Sequence, residues 1–257
     1  MYMEKKFRIR PLEEVLEDLL MARRHYRRVD RIFLADGDAL ICRTEDLVSI
    51  LDTIARLFPE CERVTSYAGV RCIQRKTTEE LRLLHEKGLD MVYLGLESGS
   101  DRVLTKISKG CTAQDNIDAA KKLKEAGIKL SVTEITGLDG PDGMYEHATQ
   151  TARVLSEMNP EYIGIVTLTL RRGSEMLRQY EAGEFKRLTP RQIVEEMKLM
   201  IEHLDSEGSI VRSNHISNYV NVRGTMNRDK GRMLQELEDA LRMKELDNPY
   251  TEYLENI

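Results

Sequence analysis

Short apolar runs rich in β-branched residues alternate along this chain with longer segments in which apolar residues return every three or four positions. The first pattern reads as strand and the second as amphipathic helix, and their alternation predicts repeated βα units built on a parallel sheet. Strands are predicted from Arg31 to Ala35, Arg63 to Tyr67, Met91 to Leu96, Lys129 to Ile135 and Tyr162 to Leu170, with a weaker one near Ser209 to Arg212. All but the last are nearly continuously apolar, which predicts strands covered on both faces.

The helical segments carry their own punctuation. Pro11 suits a first helical turn, and Leu12, Val15, Leu16, Leu19 and Leu20 form one apolar face behind the acidic Glu13, Glu14, Glu17 and Asp18. Thr44 with Asp46 predicts a capped helix start, and Thr77 with Glu80 predicts a capping box. Gly88 and Gly127 each close a helix and lead straight into a strand, as left-handed C-terminal glycines do. Thr189-Pro190 opens a helix running through Met200 and His203, and a last one spans Asp229 to Met243. Met197, Met200 and Met233 stand at helical spacing as core filler.

Composition narrows the class. With 257 residues, 41% apolar and 32% charged, the chain can bury a core, and disorder is not expected. A formal charge of −5 lacks the basic excess that nucleic acid rewards, so no nucleic-acid partner is expected. No apolar run reaches bilayer length and no signal-peptide pattern opens the chain, so no membrane partner and a cytoplasmic location are the expectations. Cys42, Cys61, Cys72 and Cys111 lie far apart, read as reduced, buried or half-buried thiols, and none pairs at metal-ligand spacing. One domain over 1–257 is expected, with 205–257 as a C-terminal extension.

In parallel α/β folds, chemistry collects beyond the carboxyl ends of the strands. After the first predicted strand stand Asp36-Gly37-Asp38, two acids about a glycine, which suit an ammonium group or, equally, an acidic turn. After the third come Glu97 and Ser98; an acid at an inner rim calls for a ligand or a cationic partner from elsewhere in the chain. Gly137 sits in Gly137-Leu138-Asp139-Gly140-Pro141 after the fourth, and Arg171-Arg172-Gly173-Ser174 follow the fifth. No Gly-x-Gly-x-x-Gly follows the first strand, which weighs against a dinucleotide fold.

In this order these stretches resemble the radical S-adenosylmethionine (SAM) superfamily over nearly the whole chain, within it the branch of uncharacterised iron–sulfur oxidoreductases related to coproporphyrinogen oxidase. The resemblance implies an α/β fold, a partial, open parallel (β/α)6 radical SAM/TIM-like barrel lacking its first strand. It implies reductive cleavage of SAM to a 5′-deoxyadenosyl radical that takes hydrogen from an unknown substrate. Its cofactors are SAM and a 4Fe-4S cluster, and an electron donor such as flavodoxin or ferredoxin is the implied partner. Asp36, Gly37 and Asp38 match the motif that meets the SAM amino group, and Glu97 and Ser98 match polar contacts to ribose or carboxylate. Gly137 falls within the adenine-supporting stretch, and Arg171 within the loop after the sixth family strand.

The departure is equally specific. The family's Cys-x3-Cys-x2-Cys loop is absent from these 257 residues, and Met1-Tyr2-Met3 resembles the residues that directly follow that loop in relatives. The expectation is a chain truncated after its cluster motif, inactive as it stands, with no metal ligands of its own. Two alternatives remain open: a metal-dependent lyase or hydrolase barrel using Asp36, Asp38, Glu97 and Glu134, or a non-catalytic barrel-derived scaffold. The five histidines, His25, His85, His147, His203 and His215, read as surface or core, with His215 the exception, whose polar stretch suits a substrate contact or, equally, a capped loop.

Overall fold

A computed structural model describes residues 8–247, which form two compact units: residues 8–93 with 122–129, and 94–121 with 130–247. Met1 to Phe7, on which the truncation reading rests, lie outside the described residues.

The first unit holds β1 (Arg31–Leu34), β2 (Arg63–Tyr67) and the start of β3 (Leu89–Glu97), ordered β1-β2-β3 and parallel, with Phe33 opposite Thr65 and Ser66 opposite Val92. Helices α1 (Leu12–His25), α2 (Thr44–Leu57), α3 (Val70–Arg75) and α4 (Thr78–Glu86) accompany them. Leu47, Leu51 and Ile54 of α2, Leu81 and Leu84 of α4, and Val92 of β3 are its core. The capping box of Thr77 and Glu80 forms as the spacing predicts, and Gly88 and Gly127 both adopt positive φ.

Two expectations fail locally. Thr44 is the first residue of α2 and not its cap; its hydroxyl donates to Glu80 Oε1 at 2.6 Å and accepts from Lys76 Nζ at 3.1 Å, which leaves it no role at the helix end. Pro11 precedes α1 as its N-cap, and the apolar face of that helix contains no buried residue, with Leu20 exposed.

The second unit continues β3 into β4 (Lys129–Thr136, from Leu130), β5 (Tyr162–Thr167), β6 (Ile210–Arg212) and β7 (Arg223–Thr225). β4, β5 and β6 run parallel, with Thr133 opposite Gly164 and Tyr162 opposite Ile210, while β7 returns antiparallel. Its helices are α5 (Asp101–Lys106), α6 (Ala113–Glu125, through Lys121), α7 (Gly140–Met158), α8 (Glu175–Glu181), α9 (Pro190–His203) and α10 (Lys230–Arg242). α9 packs between α7 and α10, and Met197, Met200 and Met233 are buried core, as their spacing predicts.

Burial alternates along β5 and the later parts of β3 and β4 instead of covering both faces. Val132, Ile163 and Ile165 are buried, whereas Gly95, Glu97, Thr133, Ile135 and Gly164 stand half-buried. Composition accounts for most of this: apart from Ile135, the second set is too small or too polar to draw a covering layer. β7, three residues with no large apolar side chain, escapes any reading by hydrophobic pattern.

Candidate functional site

The first unit places Asp36-Gly37-Asp38 directly beyond β1. Asp36 has φ 67° and Gly37 φ 102°, so the chain makes a left-handed turn here that glycine tolerates and aspartate accepts with little strain. Asp38 ends the turn. Its Oδ1 accepts from Leu40 N at 3.1 Å and its Oδ2 from Gly69 N at 2.8 Å, and the Cys72 thiol donates to the same carboxylate. Burial, together with that negative neighbour, pushes the Cys72 thiol up to about 12. Asp38 is therefore the anchor that fixes the turn. On the same unit, Phe33, Tyr67 and Tyr93 form an edge-on aromatic group, with ring centroids 4.8 Å apart for Phe33 and Tyr67.

The second unit places Glu97 at the last position of β3 with φ 63°, a left-handed conformation that costs energy for a residue with a side chain. Its carboxylate folds back over Gly95, where a Cβ would collide with it, and Lys109 Nζ lies 2.8 Å from Oε1. The cationic partner that an acid at this rim calls for is thus Lys109. Ser98 is buried and accepts from Ser100 N at 3.0 Å, and Gly99 N donates to Thr151 Oγ1 at 3.0 Å. A Cβ at Gly99 would sit 2.5 Å from the Gln150 carbonyl oxygen, so only glycine lets this turn press on α7.

Beyond β4, Gly137 has φ 95° and donates its N–H to Glu196 Oε2 at 2.8 Å. Asp139, read from sequence only as part of the turn, is buried and held by both terminal nitrogens of Arg102. Beyond β5, Arg171 is exposed and Ser174 caps α8 by accepting from Leu177 N. His215 lies in an exposed loop with Nδ1 against Ser217 Oγ at 2.8 Å.

Sequence reasoning missed a buried polar cluster on the helix-facing side of β4. His147 Nδ1 donates to Glu196 Oε1 at 2.5 Å, His147 Nε2 has no partner, and both residues are almost wholly buried. Glu134 is buried beside them, accepts from Thr136 Oγ1 at 2.9 Å, and has its pKa raised well above the ordinary carboxylate range. Desolvation is the main cause, followed by repulsion from Glu196. The signal was present: Glu196 stands on the apolar stripe of α9, three residues after Ile193 and four before Met200. Among the described residues no group of three or more His, Cys, Asp or Glu side chains is arranged to hold a metal ion. Cys42, Cys61 and Cys111 are half-buried and Cys72 buried, all as free thiols.

A parallel α/β chain with acids and glycines at successive strand ends has the arrangement in which folds of this class gather their functional residues. The sequence model of the radical SAM superfamily matches residues 2–149, more than half of the 257, and the chain belongs to that superfamily, whose members are enzymes. It is 28% identical over 134 residues to an uncharacterised protein of Methanocaldococcus jannaschii, covering 52% of this chain and 41% of that one. It is 27% identical over 168 residues to the 4'-phospho-dehydrooxetanocin synthase of Priestia megaterium, covering 59% of this chain and 23% of that one. The chain thus spans less than half the length of these relatives.

Among solved structures, coproporphyrinogen III oxidase from Escherichia coli superposes with a TM-score of 0.58 at 13% identity, covering 74% of this chain and 44% of its own. The cobalamin-dependent S-adenosylmethionine radical enzyme OxsB superposes with a TM-score of 0.51 at 19% identity, covering 93% of this chain and 33% of its own. These likenesses bear out the α/β fold of a partial radical SAM barrel. No described helix is long and apolar enough to cross a membrane.

Proposed function

We propose that this chain supplies SAM-binding strand ends of a radical SAM enzyme, whose reaction is the reductive cleavage of SAM to a 5′-deoxyadenosyl radical that abstracts hydrogen from a substrate. The observation that carries the reading is positional: Asp36-Gly37-Asp38, Glu97-Ser98, Gly137 and Arg171 each lie at or just past the carboxyl end of a strand, in the family's order. Asp36 and Gly37, presented by the Asp38 anchor, would take the ammonium end of SAM. Glu97, held ready by Lys109, would accept from a ribose hydroxyl. The Gly137 turn, tied down by Glu196, would support the adenine, and Arg171 would meet a carboxylate.

A 4Fe-4S cluster supplies the electron for such chemistry when bound, delivered by a donor such as flavodoxin or ferredoxin. The residues present do not fit one: it needs closely spaced thiolates, and Cys42, Cys61, Cys72 and Cys111 are separated by eleven or more positions. No step is therefore routed through it, and these 257 residues alone should bind SAM weakly.

The test is anaerobic reconstitution with iron and sulfide, on the chain alone and on the chain with a Cys-x3-Cys-x2-Cys segment fused ahead of Met1. Cluster and 5′-deoxyadenosine formation are expected only in the fusion. Stoichiometric cluster on the unfused chain, or a loaded fusion whose SAM cleavage ignores Asp36→Ala and Glu97→Ala, overturns the reading.

A further inference from the structure

The second unit contains an arginine-lined cavity of about 540 Å³ that none of the SAM-directed residues touches. It opens on one face of the β6–β7 ribbon, where Arg212 and Asn214 alternate with buried Val211 and Ser213, and Asn221 and Arg223 flank buried Val222. It continues round the edge strand to Arg228 and Arg232 beside α10.

The register makes the charge arrangement unusual. Arg212 stands directly opposite Arg223. Ser213 N donates to the Val222 carbonyl and Met226 N to the Ser209 carbonyl, so the hydrogen-bonded pairs fall on odd residues of β6. Arg212 and Arg223 are then a non-hydrogen-bonded pair, the closer kind, with Cα atoms about 4.5 Å apart. Like charges so placed repel. The other two guanidiniums are spent: Arg228 on Asp229 at 2.9 Å and on Thr225, Arg232 on Glu236 and the Arg223 carbonyl. Among the described residues neither Arg212 nor Arg223 has a carboxylate partner; Arg212 instead lies over the Tyr162 ring, 5.7 Å from its centroid.

We propose that this cavity is a binding site for the phosphate group of a small phosphate monoester, held between Arg212 and Arg223. Two adjacent forks match a dianion with three outward oxygens better than a carboxylate, whose two oxygens one fork satisfies. Asn214 and Asn221 add neutral donors at the rim, and the volume is that of a small-molecule pocket. A polyanion such as RNA fits less well, because the whole chain carries a formal charge of −5. The proposal concerns binding alone and stands whether or not the SAM reading does.

The test is calorimetry and thermal melting of the full chain with glycerol 3-phosphate, inorganic phosphate, succinate and single-stranded RNA. Glycerol 3-phosphate should bind saturably and raise the melting temperature. Arg212→Gln and Arg223→Gln should each weaken it at least tenfold, while Arg242→Gln, outside the cavity, binds as the parent does. Because the two arginines repel each other and Arg212 alone also lies over the Tyr162 ring, Arg223→Gln should not melt below the parent without ligand, which separates a lost site from a lost fold. No saturable binding, parent-like affinity in Arg223→Gln, succinate binding as tightly as the ester, or tighter Arg223-dependent binding of RNA each overturns the proposal.

Discussion

The Glu97 carboxylate occupies the space that a side chain on Gly95 would fill, and in that position it meets Lys109 at 2.8 Å. Gly95→Ala should therefore expel the carboxylate and break the ion pair. Because both charged groups remain partly exposed, the stability loss should be about 0.5–1 kcal/mol. The decisive measurement is a double-mutant cycle by urea unfolding. In a Lys109→Met background the Gly95→Ala penalty should largely vanish, and an undiminished penalty would mean that the glycine is required for a different reason.

Asp38 and Cys72 give a chemical readout of the turn beyond β1. With its thiol pushed up to about 12, Cys72 is ionised in only about one molecule in ten thousand near pH 8, so alkylation by iodoacetamide should be far slower than at Cys42, Cys61 or Cys111. Asp38→Asn removes the negative charge, leaves the burial, and loosens the turn by about 1 kcal/mol. Cys72 alkylation, followed residue by residue by mass spectrometry, should accelerate in that variant. An unchanged rate would show that burial alone protects the thiol.

Legibility in the sequence followed the strength of each local signal. Strands β1 to β5 announce themselves because each is rich in β-branched, aromatic or other apolar residues, the Thr77 helix start because a hydroxyl and a glutamate stand three apart, and the Thr189 start because a proline follows the threonine. β7 could not be read, since Arg-Gly-Thr carries no apolar pattern and its pairing with β6 depends on distant residues. Strand-end acids were legible as positions but not as partners: nothing local ties Glu97 to Lys109 or Asp38 to Gly69 N. The Glu134, His147 and Glu196 cluster is assembled from three elements by packing, so only the misplaced charge on the apolar stripe of α9 hinted at it.

Glu134 makes stability depend on pH with a definite sign. Its folded pKa is raised, chiefly by desolvation, so the native state holds this proton to a higher pH than the unfolded chain does. Stability is then fully present below the ordinary carboxylate pKa and is lost as pH climbs toward the raised value, by up to about 1.4 kcal/mol per pH unit for one proton. Glu134→Gln has no proton to lose and keeps an oxygen to accept from Thr136. Its stability advantage over the parent should therefore widen between about pH 5 and about pH 8 in urea unfolding. A constant difference across that range would place the buried proton elsewhere.

His147 and Glu196 carry the sharpest structural prediction. Glu196 uses one oxygen for His147 Nδ1 and the other for Gly137 N, and it is buried beside Glu134. His147→Leu fills similar space but strips Glu196 of one of its two partners in a site closed to water. Breaking a buried pair from one side costs about 3–5 kcal/mol, against well under that for an exposed pair such as Arg153 with Glu157. Adding Glu196→Gln to His147→Leu should restore part of the loss, because a neutral amide still accepts from Gly137 N and no longer repels Glu134. If the double variant is as unstable as the single one, lost packing around the imidazole explains the damage, and the charge on Glu196 does not.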